Sequence, residues 1–123
     1  MTRDRDEIYQ LVGELLRGIQ HGDPVALFAF GVSPTIYEEI LEELDSAQEN
    51  LADLTLPPYG VAFTADKTGR IPLCSYEINT DPLRKRVDCQ LWSGKKKTDL
   101  TLIADYPDQQ KKVPLVFRLL ETQ

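Results

Sequence analysis

The sequence predicts an α+β fold in which three N-terminal helices pack on a curved antiparallel β-meander of four to five strands. Two observations predict it. Apolar residues recur at helical spacing in the first half of the chain and alternate in the second half, where turn signals have hairpin spacing. A length of 123 residues fits one domain. We therefore expect a single domain over 1–123, with a helical half at 1–55 and a sheet half at 59–123.

Three helical segments, each with its own start or stop signal, make up the first half. The pairs Asp23-Pro24 and Ser33-Pro34 each place a capping oxygen before a proline, which predicts a short helix ending at Phe30 and a third helix continuing to Leu51. Gly22 is predicted to end the first helix, which runs from about Asp4 to Gln20. That helix carries the apolar stripe Ile8, Leu11, Val12, Leu15, Leu16 and Ile19.

The strands of the second half are predicted from turn signals at 66–69, 79–82, 93–94 and 107–108. Folding about the last three turns pairs Cys89 with both Cys74 and Leu100, and Leu100 with Phe117. Since side chains alternate along a strand, one face then forms the core. That predicted face consists of Val87, Cys89, Leu91, Leu100, Leu102, Ala104, Val113, Leu115, Phe117 and Leu119.

The opposite face of the predicted sheet mixes polar with apolar residues. The same register pairs Asp99 with Arg118 and Asp105 with Lys112, on a face that we expect to be solvated and that also holds Asp88, Gln90 and Thr101. Two interpretations stay open for the apolar residues on this face. In the first, these residues are scattered on the surface or are covered by a loop of the same chain. In the second, they form an interface with a partner or with a second copy. The residues are Trp92, Ile103, Val116 and Leu120, of which the first three are the candidate sheet-face interface.

Charge and composition exclude several classes of protein. A net charge of −6 and a pI of about 4.7 argue against nucleic-acid binding, which needs basic charge. The longest apolar run, 25–30, is far too short to cross a membrane, and the N-terminus lacks the apolar segment of a secretory signal. We therefore expect a cytoplasmic protein with no membrane contact. Two cysteines and one histidine predict no metal site, no cofactor and two buried thiols rather than a disulfide.

The third predicted helix carries the most distinctive charge pattern. Acidic residues recur along it with no basic residue between 38 and 53. Like charges four residues apart cost a helix about 0.2–0.5 kcal/mol a pair. The acids form either a solvated face or a docking surface for a basic protein. The candidate partner-binding residues are Glu38, Glu39, Glu42, Glu43, Asp45 and Glu49.

Two segments carry resemblances to known families. Three helices before an antiparallel sheet, with the junction Gln20-His21-Gly22-Asp23-Pro24-Val25-Ala26-Leu27-Phe28, resemble the cone-shaped α+β superfamily of nuclear transport factor 2, scytalone dehydratase and the ketosteroid isomerases. Leu91-Trp92-Ser93 followed by Thr98-Asp99-Leu100-Thr101-Leu102 is similar to an uncharacterised bacterial family with a Trp-then-Asp-Leu-Thr-Leu hairpin. The isomerase tyrosine and acid positions do not map onto this chain, so the resemblance implies no catalytic residue.

Catalysis draws little support from the sequence. No nucleophile elbow, zinc-protease, P-loop or dinucleotide-binding motif is present. We expect His21 to interact with the end of its helix, while Tyr9, Tyr37, Tyr76 and Asp66 could reach a cavity mouth. The favoured function is a non-enzymatic protein-binding module, of the inhibitor or immunity type, that uses the acidic helix face. The alternative is a small-molecule-binding or isomerase/dehydratase-type cone-fold protein with a pocket between helices and sheet.

Overall fold

Helices precede an antiparallel sheet in the computed structural model, which describes residues 2–78, 81–106 and 115–122. The helices are α1 (Thr2–His21), α2 (Pro24–Ala29), α3 (Pro34–Ser46) and α4 (Tyr59–Ala62), with a 3₁₀ turn at Leu51–Asp53. The strands are β1 (Leu54–Thr55), β2 (Leu73–Ile78), β3 (Asp81–Ser93), β4 (Lys96–Tyr106) and β5 (Val116–Thr122). The predicted α+β class is confirmed, and the sheet has five strands where four to five were predicted. The described residues hold four helices rather than three, because a single turn, α4, follows the prolines at 57–58.

The predicted capping devices start α2 and α3. The Asp23 side chain accepts a hydrogen bond from the Val25 N–H at 3.0 Å, and Ser33 Oγ accepts one from the Ile36 N–H at 3.2 Å. Each cap is followed by a proline, whose fixed φ suits the first helical position. Gly22, at φ 63°, ends α1 in the left-handed region that favours glycine. These caps fix the residues at which α2 and α3 begin.

The predicted extension of α3 to Leu51 is wrong. The helix ends at Ser46, and Gln48 takes a left-handed φ of 59°. The Glu49 N–H then donates to the Leu44 carbonyl at 3.1 Å, which satisfies a carbonyl at the end of the helix. Leu51 consequently lies in the 3₁₀ turn, where it still packs against the core.

The sheet has the strand order β1–β3–β4–β5, and β2 also pairs with β3. The predicted pairing of Cys74 with Cys89 is wrong by one residue, since Cys74 lies opposite Asp88 and Leu73 opposite Cys89. Side chains of adjacent residues point to opposite faces of a sheet. The two cysteines therefore lie on opposite faces, and both are free thiols.

The pairing of β3 with β4 keeps its predicted faces but not all of its predicted pairs, and β5 departs from its predicted face beyond Arg118. Beside the turn at 94–95, β3 pairs with β4 as predicted. Farther from that turn, beyond Leu91, the register shifts by two residues, so Cys89 lies opposite Leu102 rather than Leu100. A shift of two leaves both faces unchanged. In β5, Arg118 forms a bulge, and Phe117 pairs with Ala104 rather than Leu100.

Most of the predicted core face is buried. Eight of its ten residues are no more than 6% exposed: Val87, Cys89, Leu91, Leu100, Leu102, Ala104, Leu115 and Phe117. Leu119 is wrongly placed, because the bulge at Arg118 leaves it 41% exposed and turns Leu120 toward the core instead. Val113 lies outside the described residues. The buried stripe of α1 and Ile40 and Leu44 of α3 belong to the same hydrophobic cluster as this face.

The outer face of the sheet is partly covered rather than solvated as predicted. The segment after α4 crosses it, where Arg70 Nη2 donates to Thr101 Oγ1 at 2.7 Å and the Gln90 N–H donates to the Pro72 carbonyl at 2.8 Å. Gln90 and Thr101 are therefore buried, and Asp105 is buried beside two arginines. Asp105 pairs with Arg86 at 3.0 Å and with Arg118 at 3.5 Å, so the predicted Asp99–Arg118 pair is wrong. Lys112 lies outside the described residues.

Candidate functional site

The six candidate acids lie on and just beyond α3, and we call them the acidic face. Ile40 and Leu44 anchor the opposite side of the helix in the core, at 2% and 3% exposure. With 3.6 residues per turn, burial of that side turns the acids outward. The exposed members are Glu38, Glu39, Glu42 and Asp45.

Two members of the acidic face are less accessible than the other four. Glu43 is half-buried, and its carboxylate accepts a hydrogen bond from Thr122 Oγ1 at 2.7 Å, which joins α3 to the end of β5. Glu49 follows the end of α3 and is also half-buried. The surface available to a partner is therefore formed by the four exposed acids rather than by all six.

The exposed acids have no compensating cation on their own helix. α3 contains no Lys, Arg or His, and among the described residues none of the six acids forms an ion pair. The ion pairs present in the described part use Asp66 and Asp105 instead. Four carboxylates within two turns, without a neutralising base, create a local negative potential that attracts cationic groups.

A cleft between α2 and α3 borders this acidic helix. Its volume is about 330 Å³, and most of its lining is apolar: Gly22, Pro24, Leu27, Phe28, Val32, Ser33, Pro34 and Tyr37. The Tyr37 hydroxyl donates to the Ile19 carbonyl at 3.0 Å, which holds the ring in the wall. The cleft lies on the side of α3 where the acidic face meets apolar residues.

The outer side of α2 is apolar and exposed. Leu27 is its only buried residue, whereas Val25 is 79% and Phe28 is 83% exposed. The sequence pattern predicts these residues only as part of a short helix. Because a helix of six residues buries one side, the i, i+3 spacing of Val25 and Phe28 is the signal that places both on its free side.

Comparisons with protein-family models, curated proteins and solved structures find no match for this chain. The resemblances to the cone-shaped superfamily and to the Trp-hairpin family therefore stay predictions. In the described part of the chain, no helix has the length and apolar character needed to span a membrane. Within those residues, no three metal-ligating side chains come together.

The candidate sheet-face residues are half-buried within the chain itself. Trp92 lines a cavity of about 280 Å³ with Val61 of α4 and Pro72 of the covering segment. Ile103 lies opposite Asp88 of β3 and Leu119 of β5. Val116 packs close to Gly31, since a Cβ added at Gly31 would lie 3.3 Å from Val116 Cγ1. A homodimer through these residues stays a prediction.

The residues considered for catalysis have structural partners. Tyr9 donates to the Pro57 carbonyl at 2.7 Å, and Tyr76 donates to the Asp88 carboxylate at 3.2 Å. Full burial raises the pKa of the Cys89 thiol to about 12, so it stays protonated and is a poor nucleophile. His21 is exposed in the last turn of α1, the place that the sequence indicates.

Proposed function

We propose that this protein binds a basic protein partner through the acidic face of α3, in an inhibitor or immunity-type role. The observation that carries the proposal is a set of exposed acids on a helix that has no basic residue and, among the described residues, no ion pair to them. Such a surface steers a cationic partner and raises its association rate. Single-domain binding proteins need no cavity or reactive group for this work.

The acids also oppose the stability of their own helix. Glu38 and Glu42 lie four residues apart, and Asp45 follows three residues later. Each like-charged pair at this spacing costs about 0.2–0.5 kcal/mol, and no basic residue of α3 offsets it. A surface with a structural cost and no structural contact at its three outermost acids fits a role in binding.

The alternative, a cone-type enzyme or small-molecule binder, draws less support. It needs an ionisable group facing a cavity between the helices and the sheet. One cavity between α3 and β5, of about 220 Å³, does hold ionisable groups: Glu39, Glu43 and Arg118. The Glu43 carboxylate there accepts a hydrogen bond from Thr122, and Arg118 pairs with Asp105. Elsewhere the described core side chains between the helices and the sheet are aliphatic or aromatic, apart from the protonated Cys89.

Capture experiments with matched variants test the proposal. The test variant is E38Q/E42Q/D45N, and the control is E7Q/D53N/D99N, which removes the same charge from exposed acids elsewhere. All six positions are exposed, so we expect both variants to fold. Immobilised wild type and control should retain the same basic protein from the source cell, while the test variant loses it. Equal retention by all three, or retention of no basic protein, would overturn the proposal.

A further inference from the structure

The free side of α2 carries the large hydrophobic residues with the highest exposed fraction among the described residues. Phe28 and Val25 are 83% and 79% exposed, whereas the other exposed large hydrophobic residues range from 39% to 47%. Adjacent exposed apolar residues of this size mark interaction surfaces, and aromatic side chains dominate the energetics of such surfaces. Phe28 also lines the cleft between α2 and α3, so the exposed apolar side chains and the cleft form one continuous surface.

The cleft can accept an apolar side chain without any change in the core. Its floor is made by Leu27 and Val32, which are 5% and 3% exposed, and Phe28 stands at its wall. Helix-in-groove recognition uses an apolar anchor of this kind, with polar residues around the edge. An apolar side chain that enters the cleft would also cover part of Phe28.

Charge decides which occupant fits. One turn after Tyr37 in the cleft wall, α3 exposes Leu41 at 40%, and the carboxylates of Glu38 and Asp45 flank it at helical spacing. An anionic lipid surface or an acidic segment would meet repulsion there. A symmetric contact with a second copy would bring two acidic faces together on a chain of net charge −6. A segment with basic residues beside apolar ones suits both parts of the surface.

We propose that α2 and α3 together form a groove for an amphipathic basic helix of the partner, whose apolar side chain enters the cleft beside Phe28. The inference rests on the proposed function and deepens it. The basic residues of that helix lie against Glu38, Glu42 and Asp45. Pro34 and Asp45 are 11 residues apart, which along α3 is about 17 Å, so the bound helix needs roughly three turns.

Binding of defined peptides to purified full-length protein tests this inference. The probe is a fluorescent helical peptide of about 14 leucine and lysine residues with one apolar face, spanning three to four turns. Its partner probe has the same composition in an order that forms no apolar face. The variant V25A/F28A removes the exposed apolar side chains of α2, and V61A, which removes a 43% exposed valine from α4, is the matched control. Circular dichroism verifies the fold of each.

The expected result is that loss of the α2 side chains affects the amphipathic peptide alone, whereas loss of the acids affects both peptides. V25A/F28A should weaken binding of the amphipathic peptide by about ten-fold and leave binding of the scrambled peptide unchanged. V61A should bind both peptides like wild type. E38Q/E42Q/D45N should weaken binding of both peptides, because both carry the same positive charge.

Four results would overturn the inference. If V25A/F28A binds the amphipathic peptide like wild type while E38Q/E42Q/D45N binds it more weakly, the groove is wrong and the acidic binding surface is retained. If neither variant loses affinity, both the groove and the acidic binding surface are wrong. Sedimentation that shows a wild-type dimer and a V25A/F28A monomer would assign α2 to a second copy. Binding of wild type, but not V25A/F28A, to phosphatidylserine vesicles would assign it to a membrane.

Discussion

The carboxylate of Asp66 ties the segment after α4 to the sheet. It accepts hydrogen bonds from Nζ of Lys97 at 2.8 Å and from the backbone N–H groups of Thr68 and Arg70 at 2.8 and 3.1 Å. The Lys97 ammonium, followed by the Thr68 hydroxyl, lowers the pKa of Asp66. The turn at 66–69, which the sequence predicts from its residue types alone, thus also anchors the segment after α4 that packs beside Trp92.

The substitution D66N should reduce the free energy of unfolding in a pH-dependent way. Because the folded-state pKa is lowered, the carboxylate stabilises the fold above its ordinary pKa of about 3.9, and this contribution is lost as the pH falls through the folded value. The difference from wild type should therefore be constant from pH 7 to about 5 and shrink below about 4. Urea unfolding at several pH values measures it. D99N, at an exposed acid, is the control; a D66N difference that persists unchanged at low pH would contradict this reading.

The two thiols should differ in reactivity. Burial raises the pKa of Cys89 to about 12, whereas Cys74 is half-buried on the opposite face of the sheet. Since the thiolate is the reactive form, an alkylating reagent at pH 8 should modify Cys74 and reach Cys89 only after unfolding. Mass spectrometry of C74S and C89S, with and without urea, assigns each thiol. Equal rates in the folded protein would contradict the burial of Cys89.

At the scale of elements, helices and strand faces could be predicted while strand pairing could not. Start signals at residues 23–24 and 33–34 fix α2 and α3 because capping is a local interaction. The faces of β3 and β4 survive their irregularity because it shifts the register by two residues. The bulge at Arg118 places Leu120 rather than Leu119 against the core. No local property of residues 116–122 predicts this bulge.

These neighbouring leucines provide a direct test of the bulge. Leu120 packs against the core, whereas Leu119 is 41% exposed. L120A should therefore lower the free energy of unfolding by about 1–2 kcal/mol, and L119A by about 0.5 kcal/mol or less. Urea denaturation of the two variants gives both values. A larger loss for L119A would mean that β5 follows the register expected without the bulge.

At the scale of the whole molecule, charge is unevenly distributed. Residues 1–62 carry 12 acids and three arginines, while residues 63–123 carry 8 acids and 11 basic residues. The structure uses Asp66 and Asp105 of the second half in ion pairs and leaves the acids at 38, 39, 42 and 45 exposed. The acidic half of the site could be predicted, because helical periodicity fixes its side. The cleft could not, since it depends on the tertiary arrangement of α2, the start of α3 and the residues between them.

The association rate of the captured basic partner, measured against ionic strength, tests the central claim most directly. For wild type and E7Q/D53N/D99N, we predict a rate that falls steeply as salt rises from about 20 to 500 mM, because salt screens the attraction. For E38Q/E42Q/D45N, the rate at low salt should be about ten-fold slower and nearly independent of salt. If this variant keeps both the wild-type rate and the wild-type salt dependence, the acidic face of α3 does not steer the partner.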